Sequence, residues 1–422
     1  MMYNKSVLKN GVRILSEKLP HYRSVSLGIW VNVGSREEIE RENGISHFIE
    51  HMIFKGTRNR SNLEIARQLD AIGGLSNAFT GKEYTCFHAR VLDRHFSTLA
   101  EILSDIFLHS IFDPVEMDRE RQVILQEISM VEDTPDEQIH ELFNEVYWAG
   151  HPLGMSILGN SDTVSSIQKD QIHDYMARFY TPDRIIIACA GNIDHHDLTA
   201  YFSPLFETIA DPEIAGPGSS PSSTAGVSCH FKNLEQVHIC LGGKAPHLSS
   251  ESRFASALFN TILGGNMSSR LFQEIREKHG LAYSVYSFLS SYSDTGLLGI
   301  YVGTGASEVN RVLEMINIEV TKLQKGEISR SDLAEAKENI IGGILLGSES
   351  ADNMMMRLSK NEFVFGRYIS FDDLIAAVEK VTLDEVIASA IETFTDHGVT
   401  LTTLGPLKSE DLDLSCLQFN GS

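Results

Sequence analysis

Between Ile45 and Ile53 the apolar residues fall at Ile45, Phe48, Ile49, Met52 and Ile53. That i, i+3, i+4, i+7, i+8 spacing describes one buried stripe of a helix. A second helix is predicted from Asp113-Pro114-Val115-Glu116, with Asp as N-cap, Pro at the first helical position and Glu at the third. Val123, Ile124, Ile128 and Val131 are expected to supply its apolar contacts. Around the first helix the order is a strand-like run at Val25–Val33, then Leu63–Ile72, a Gly73-Gly74 pair and a strand at Tyr84–Val91. The same order recurs later. Val237–Leu241 leads to a helix at Phe254–Leu263, then to Ser269–Lys278, Gly280 as a C-cap and a strand at Leu281–Phe288. Each series returns to a long helix, Thr98–His109 in one and Val309–Lys325 in the other. A repeated order of elements at low sequence identity indicates an internal duplication. The mixture of helices with hairpin-like strands predicts two similar α+β halves. Residues 211–228 lack hydrophobic period and are dense in Gly, Pro and Ser, which marks a linker. The expected division is therefore 1–212, a linker at 213–228, and 229–422.

Composition narrows the class. The chain has 422 residues, enough for more than one packed core. Its formal net charge of −22 argues against nucleic acid as a partner and favours a cationic one. Glu132, Asp133, Asp136, Glu137 and Glu141 form an acidic stretch that either meets basic substrate side chains or is simply a solvated helix face. No run of about 18 uncharged apolar residues suggests a membrane span. The N-terminal residues resemble neither a secretory signal nor a transit peptide, so the cytoplasm is the expected compartment. Cys86, Cys189, Cys229, Cys240 and Cys416 are scattered and odd in number, without metal-ligand spacing, and are expected to be reduced and structural.

The chemistry lies on the polar face of the first helix. His47, Glu50 and His51 gather opposite the apolar stripe. Two imidazoles one turn apart can reach one metal ion, and the carboxylate beside them can take a proton from water. This His-x-x-Glu-His order reverses the commoner zinc helix. A solvated helix can also carry two His and a Glu, so a third ligand is required. In the second helix Glu120 and Glu127 are seven apart and share one face. By spacing alone, Glu127 is as readily a solvated carboxylate as a ligand.

With His47, Glu50, His51 and a glutamate 76 positions after His51, the chain resembles the pitrilysin (inverzincin) metallopeptidases. The resemblance spans essentially the whole chain. It implies Zn2+ as cofactor, one ion per chain, with His47, His51 and Glu127 as ligands. It also implies Glu50 as the catalytic base and Glu120 as a carboxylate that tunes the site from behind a ligand. The two halves are expected to face each other like a clam shell. Arg276 and Tyr283 match an arginine–tyrosine pair that the family's second half supplies to the active site, where their donors suit a carbonyl turning into an oxyanion. In Gly264-Gly265-Asn266, Asn266 stands where relatives often have a third glycine. The segment Ser76-Asn77-Ala78-Phe79-Thr80 is expected to be an edge strand on which Asn77, Ala78 and Phe79 hold an extended peptide.

The function so implied is a zinc endopeptidase that cleaves unfolded, basic peptides, in processing or in degradation. Its size resembles the bacterial processing-peptidase type, similar to the beta subunit of the mitochondrial processing peptidase. A bacterial origin and a homodimer are expected, with a heterodimer of paralogues as the rival. Two other classes compete: a non-catalytic assembly relative, and a peptide-binding module that zinc merely braces. Four intact metal-helix and ligand residues disfavour the first. Three protein ligands rather than four disfavour the second.

Overall fold

The computed structural model describes residues 2–210, 220–396, 398–417 and 419. The expected linker at 213–228 therefore lies partly outside the described residues. In the first part of the chain the strands are β1 (Met2–Val7), β2 (Arg13–Lys18), β3 (Ser24–Val31), β4 (Leu75–Thr80), β5 (Thr85–Leu92) and β6 (Ile185–Gly191). The helices are α1 (Ile45–Met52), α2 (Asn62–Ala71), α3 (Phe96–His109), α4 (Pro114–Asp133), α5 (Pro135–Tyr147), α6 (Ser161–Ser166), α7 (Lys169–Phe179) and α8 (His195–Phe206). The second part carries β7 (Gly226–Phe231), β8 (Val237–Lys244), β9 (Ala282–Ser291), β10 (Gly296–Thr304) and β11 (Thr400–Gly405). Its helices are α9 (Arg253–Leu263), α10 (Val309–Gln324), α11 (Arg330–Gly347), α12 (Ala351–Phe365), α13 (Phe371–Lys380) and α14 (Leu383–Thr393).

The duplication is visible in the sheets. The first runs β1-β2-β6-β3-β5-β4 and the second β7-β11-β8-β10-β9. Setting β2 against β7, β6 against β11, β3 against β8, β5 against β10 and β4 against β9 matches the two orders. The sense of every pairing then agrees. β2–β6 and β7–β11 are parallel, whereas the other corresponding pairs are antiparallel. The first sheet differs by one added strand, β1, paired antiparallel to β2.

The compact units are not the contiguous halves. One comprises Met1–Ser129, Met155–Ser219 and Leu346–Tyr368, and the other Met130–Gly154, Ser220–Leu345 and Ile369–Ser422. Each half of the chain thus supplies one helix to the other half's sheet. In the first unit, Val25, Leu27, Ile29 and Val31 of β3 face a core with Phe48, Ile49 and Leu103. The opposite face of the sheet is covered by α12, which packs on β3, β6 and β2. Trp30 Nε1 donates to Met355 Sδ at 3.1 Å there. Gly28 permits this approach, because a Cβ on it would lie 2.8 Å from Met355 Sδ. In the second unit, Ile239, Leu241, Ile300 and Val302 face α9, α10 and α14. The other face meets α5 through Ile139, Phe143, Tyr147, Cys240, Tyr301 and Leu404. Central strands covered on both faces read as nearly continuous apolar runs, as Ile185-Ile186-Ile187 does.

Cys86, Cys189 and Cys240 are buried and Cys229 is half-buried, all unpaired. The side chain of Cys416 lies outside the described residues. No described helix is long and apolar enough to cross a membrane.

Candidate metal centre and substrate strand

The α1 stripe is buried as its periodicity requires, with Ile45, Phe48, Ile49, Met52 and Ile53 all in the first unit's core. The imidazoles of His47 and His51 project from the other side, their ring centroids 4.6 Å apart. Helix α4 brings the third group. Asp113 caps it by accepting from the N–H of Val115 at 2.9 Å and of Glu116 at 3.3 Å. Met117, Ile124 and Ile128 are its buried apolar residues. Val123, expected in that set, is instead 40% exposed. One face of α4 packs and the adjoining face carries the glutamates, leaving Val123 on the solvent side. Arg121 fixes the helix against α1, with its guanidinium 5.3 Å from the Phe48 ring and a hydrogen bond to the carbonyl of Ile167 at 3.0 Å.

This packing sets Glu127 Oε2 3.7 Å from His47 Nε2 and 3.5 Å from His51 Nε2. One ligand atom from each of His47, His51 and Glu127 lies within 4.8 Å of the others. In a tetrahedron with bonds of about 2.0–2.1 Å, ligand atoms stand roughly 3.4 Å apart. The donor set therefore fits zinc with small adjustments, and no fourth His, Cys, Asp or Glu joins the group among the described residues. His51 is prepared for this role. Its Nδ1–H faces Glu120 Oε2 at 3.1 Å, which leaves Nε2 with a free lone pair. Glu120 is in turn paired through Oε1 with Lys55 Nζ at 2.6 Å. Burial, with a smaller contribution from His51, lowers the pKa of His47 to about 4, so its ring is neutral and able to ligate near pH 7. His47 Nδ1 has no hydrogen-bond partner among the described residues.

Glu50 sits beside the ligands. Burial pushes its carboxyl above the usual carboxylate range, and the charge of Glu127 adds to that. The hydroxyl and backbone N–H of Thr80, together with His51, oppose the shift. The candidate base thus lies beside Thr80 at the end of β4. That strand is the terminal one of its sheet, and Leu75, Ser76 and Asn77 are exposed. Ala78 packs partly against the first core. The Phe79 ring is turned to the other face, 5.4 Å from Trp30 and 5.9 Å from His88. Phe79 is thus engaged by its own sheet, and what the edge offers a partner there is main chain.

The second unit holds Arg276 and Tyr283 together. The helix carrying Arg276 is π-helical over Phe272–Lys278, where an ordinary α-helix was expected. It closes with Leu281 N–H bonded to the Ile275 carbonyl at 2.9 Å and Gly280 N–H to that of Arg276 at 3.0 Å. Such wider turns tend to occur at functional positions. The Arg276 guanidinium lies 4.7 Å from the Phe272 ring and 4.8 Å from the Tyr283 ring. Tyr283 stands on β9, the terminal strand of the second sheet, and is 76% exposed. A core tyrosine would be covered. Asn266 uses its side chain locally, accepting from the N–H and hydroxyl of Ser268 at 3.0 and 2.8 Å. Lys55 was not singled out from the sequence, since an isolated lysine after a helix carries no periodic signal. Glu132, Asp133, Asp136 and Glu137 are exposed in the second unit.

Comparisons with known proteins identify the family. Residues 13–161 match the family model described as Insulinase (Peptidase family M16), and residues 166–340 match Peptidase M16 inactive domain. A protein of Bacillus subtilis (strain 168), named as an uncharacterized zinc protease, is 41% identical over 94% of this chain and 96% of its own. Another of that description from Streptomyces coelicolor is 38% identical over 96% of this chain and 90% of its own. Among solved structures, a protease from Helicobacter pylori superimposes with a TM-score of 0.90 at 22% identity, covering 96% of this chain and 99% of that one. A peptidase M16 inactive domain from Pseudomonas fluorescens also gives 0.90, at 17% identity, over 97% and 99%. The last two likenesses concern the fold.

Proposed function

The chain belongs to the M16 insulinase family of peptidases, and on that premise we propose that it is a zinc-dependent endopeptidase acting on extended, basic peptides. The observation that carries the reading is the convergence of His47, His51 and Glu127 with Glu50 beside them and no fourth ligand joining the group among the described residues. Structural zinc is usually closed by four protein ligands. When bound, zinc supplies a Lewis acid that acidifies water and polarises a peptide carbonyl. Glu50, its proton affinity raised by burial, takes a proton from the attacking water and returns it to the leaving amine. Glu120 holds His51 in the tautomer that ligates. We assign the donors for the carbonyl oxygen to Tyr283 and Arg276, which the second unit holds stacked, Tyr283 exposed and Arg276 half-buried. Asn77 and Ala78 of β4 offer main-chain edge to a peptide that must be extended to pair with it, which selects unfolded substrates. The net charge of −22 and the exposed acids from Glu132 to Glu137 favour basic sequences. A homodimer acting in the cytoplasm, on presequences or spent peptides, completes the reading.

The test is hydrolysis of a basic, unstructured peptide of about 20 residues, long enough to bind as a strand. Wild type and Glu50→Gln are compared at equal zinc content. Cleavage by wild type alone is the expected result. Equal cleavage by Glu50→Gln removes the proposed mechanism, and no cleavage by either removes the peptidase.

A further inference from the structure

A metal site on a two-turn helix depends on how that helix is held. At eight residues, α1 is well short of the length at which a helix persists alone. Its N-cap is Gly44, with a φ of 92° and no side chain to accept from the first-turn amides. A residue outside the helix takes that place. Glu38 Oε2 accepts from Gly44 N–H at 2.8 Å and from Asn43 Nδ2–H at 3.0 Å, while Oε1 accepts from Ser46 N–H at 2.9 Å. Glu38 is fully buried. The groups it binds are anchored in turn. Asn43 Nδ2 also donates to the Ser156 carbonyl at 2.8 Å, and the Ser46 and Tyr175 hydroxyls bond each other at 2.9 Å. The Tyr175 hydroxyl also reaches the Gly34 carbonyl at 3.3 Å. Ser46 immediately precedes His47, so the point of attachment adjoins the first candidate ligand.

We propose that Glu38 is a positioning residue for the metal centre, setting the axial position and rotation of α1 at which His47, Glu50 and His51 meet Glu127. A carboxylate suits this role because each oxygen accepts an N–H, and at pH 8, above the value of about 7 to which burial raises its pKa, its negative charge complements the positive end of the helix dipole. An amide does not. Glu38→Gln preserves the shape but turns an NH2 toward an N–H that needs an acceptor.

The proposal rests on the metallopeptidase reading for its zinc and activity arms, and the amide-exchange arm is independent of it. At pH 8, wild type, Glu38→Gln and the control Glu17→Gln are compared by zinc affinity against a chelator, by kcat and KM on the basic peptide, and by amide exchange in the zinc-free proteins. Glu17 is an equally buried carboxylate of the same unit, bonded to the Tyr368 hydroxyl at 3.1 Å rather than to α1. For Glu38→Gln we expect zinc binding weaker by about 10–100-fold, as for other supports of metal ligands. A similar loss in kcat with KM within about twofold and faster exchange confined to α1 should accompany it. Glu17→Gln should leave zinc affinity and α1 exchange at wild-type values. Wild-type zinc affinity and exchange in a folded Glu38→Gln protein would overturn the proposal, as would an equal loss in the control. Should Glu38→Gln fail to fold, Asn43→Ala decides. A several-fold loss in zinc affinity supports the role, and wild-type affinity refutes it. A wild type that neither binds zinc nor cuts peptide would sink the peptidase reading and leave α1 exchange to judge this one.

Discussion

Removing the charge of Glu120 should weaken zinc binding without unfolding the protein. Glu120 is nearly buried and makes two contacts, one to His51 Nδ1–H at 3.1 Å and one to Lys55 Nζ at 2.6 Å. The two differ in value. Lys55 remains about a third exposed, so screening limits that pair to roughly 0.5–1 kcal/mol. The bond from His51 is charge-assisted and screened from water, worth roughly 1.5–3 kcal/mol. Its loss should therefore dominate. In Glu120→Gln the amide can turn its oxygen to His51, so the bond survives and only its charge is lost. The expected cost is about 1.4 kcal/mol, or tenfold in zinc affinity. Glu120→Leu leaves the His51 N–H without an acceptor and should reach the upper end, about 100-fold. Lys55→Met should cost only a few-fold, and the double variant less than the sum, because the lysine acts through Glu120. Competition with a chromogenic chelator measures all four affinities, and thermal melts of the zinc-free proteins check the fold. Zinc affinity within twofold of wild type for a folded Glu120→Leu would show that Glu120 does not support His51.

Further outcomes follow from the same geometry. Gly44→Ala should destabilise the first unit by about 2–4 kcal/mol in denaturant titration, because the residue keeps a φ of 92° and its new Cβ lies 2.7 Å from the Leu158 carbonyl oxygen. His140 is held below the ordinary histidine pKa by burial, partly offset by Asp136, and sits among Tyr286, Tyr301, Cys240 and Phe288. The unfolded chain then takes up its proton near pH 6.5 while the folded chain resists, so this stability is complete above about pH 6.5 and falls as pH drops below it. His140→Gln should flatten that slope in urea titrations between pH 7 and 5. A steeper slope would refute the sign. Residues 1–212 expressed alone should be insoluble or molten, because the sheet face bearing Trp30 and Gly28 would lack α12. Co-expression of a segment carrying 346–368 should improve solubility and sharpen the melt.

The clustering of His47, Glu50 and His51 on α1 was legible because these candidate residues and the apolar stripe are local, both repeating within two turns of one helix. The cap at Asp113 was legible for the same reason. Glu127 was not legible from spacing alone. The contacts that place it, Arg121 against Phe48 and the Ile167 carbonyl, join segments far apart in sequence. Val123 was misplaced because a hydrophobic pattern does not say which of two adjoining faces packs. The π-helical turn at Phe272–Lys278 was invisible because seven residues cannot distinguish its period from that of an α-helix. Glu38 gave no signal either. A glutamate before a helix reads as solvent-exposed, and only the burial of the loop around Gly34 and Gly44 makes it a cap.

The exchanged helices show why an order of elements reveals duplication but not domain boundaries. The pattern of Ile185-Ile186-Ile187 demands cover on both faces of its strand, yet carries no information on which segment provides it. Helices α5 and α12 answer the demand crosswise, each following the long helix of its own half. Neither linker composition nor residue period could report this, because the exchange alters which sheet a helix covers and not the order in which elements occur. The consequence is energetic. A half severed at the linker would expose buried residues such as Trp30 and Ala188 on one side, or Cys240, Tyr301 and Leu404 on the other. The linker is therefore a change in composition rather than a boundary between independently stable parts. The scaffold under His47, His51 and Glu127 is completed by α12, a helix encoded more than 200 residues after them.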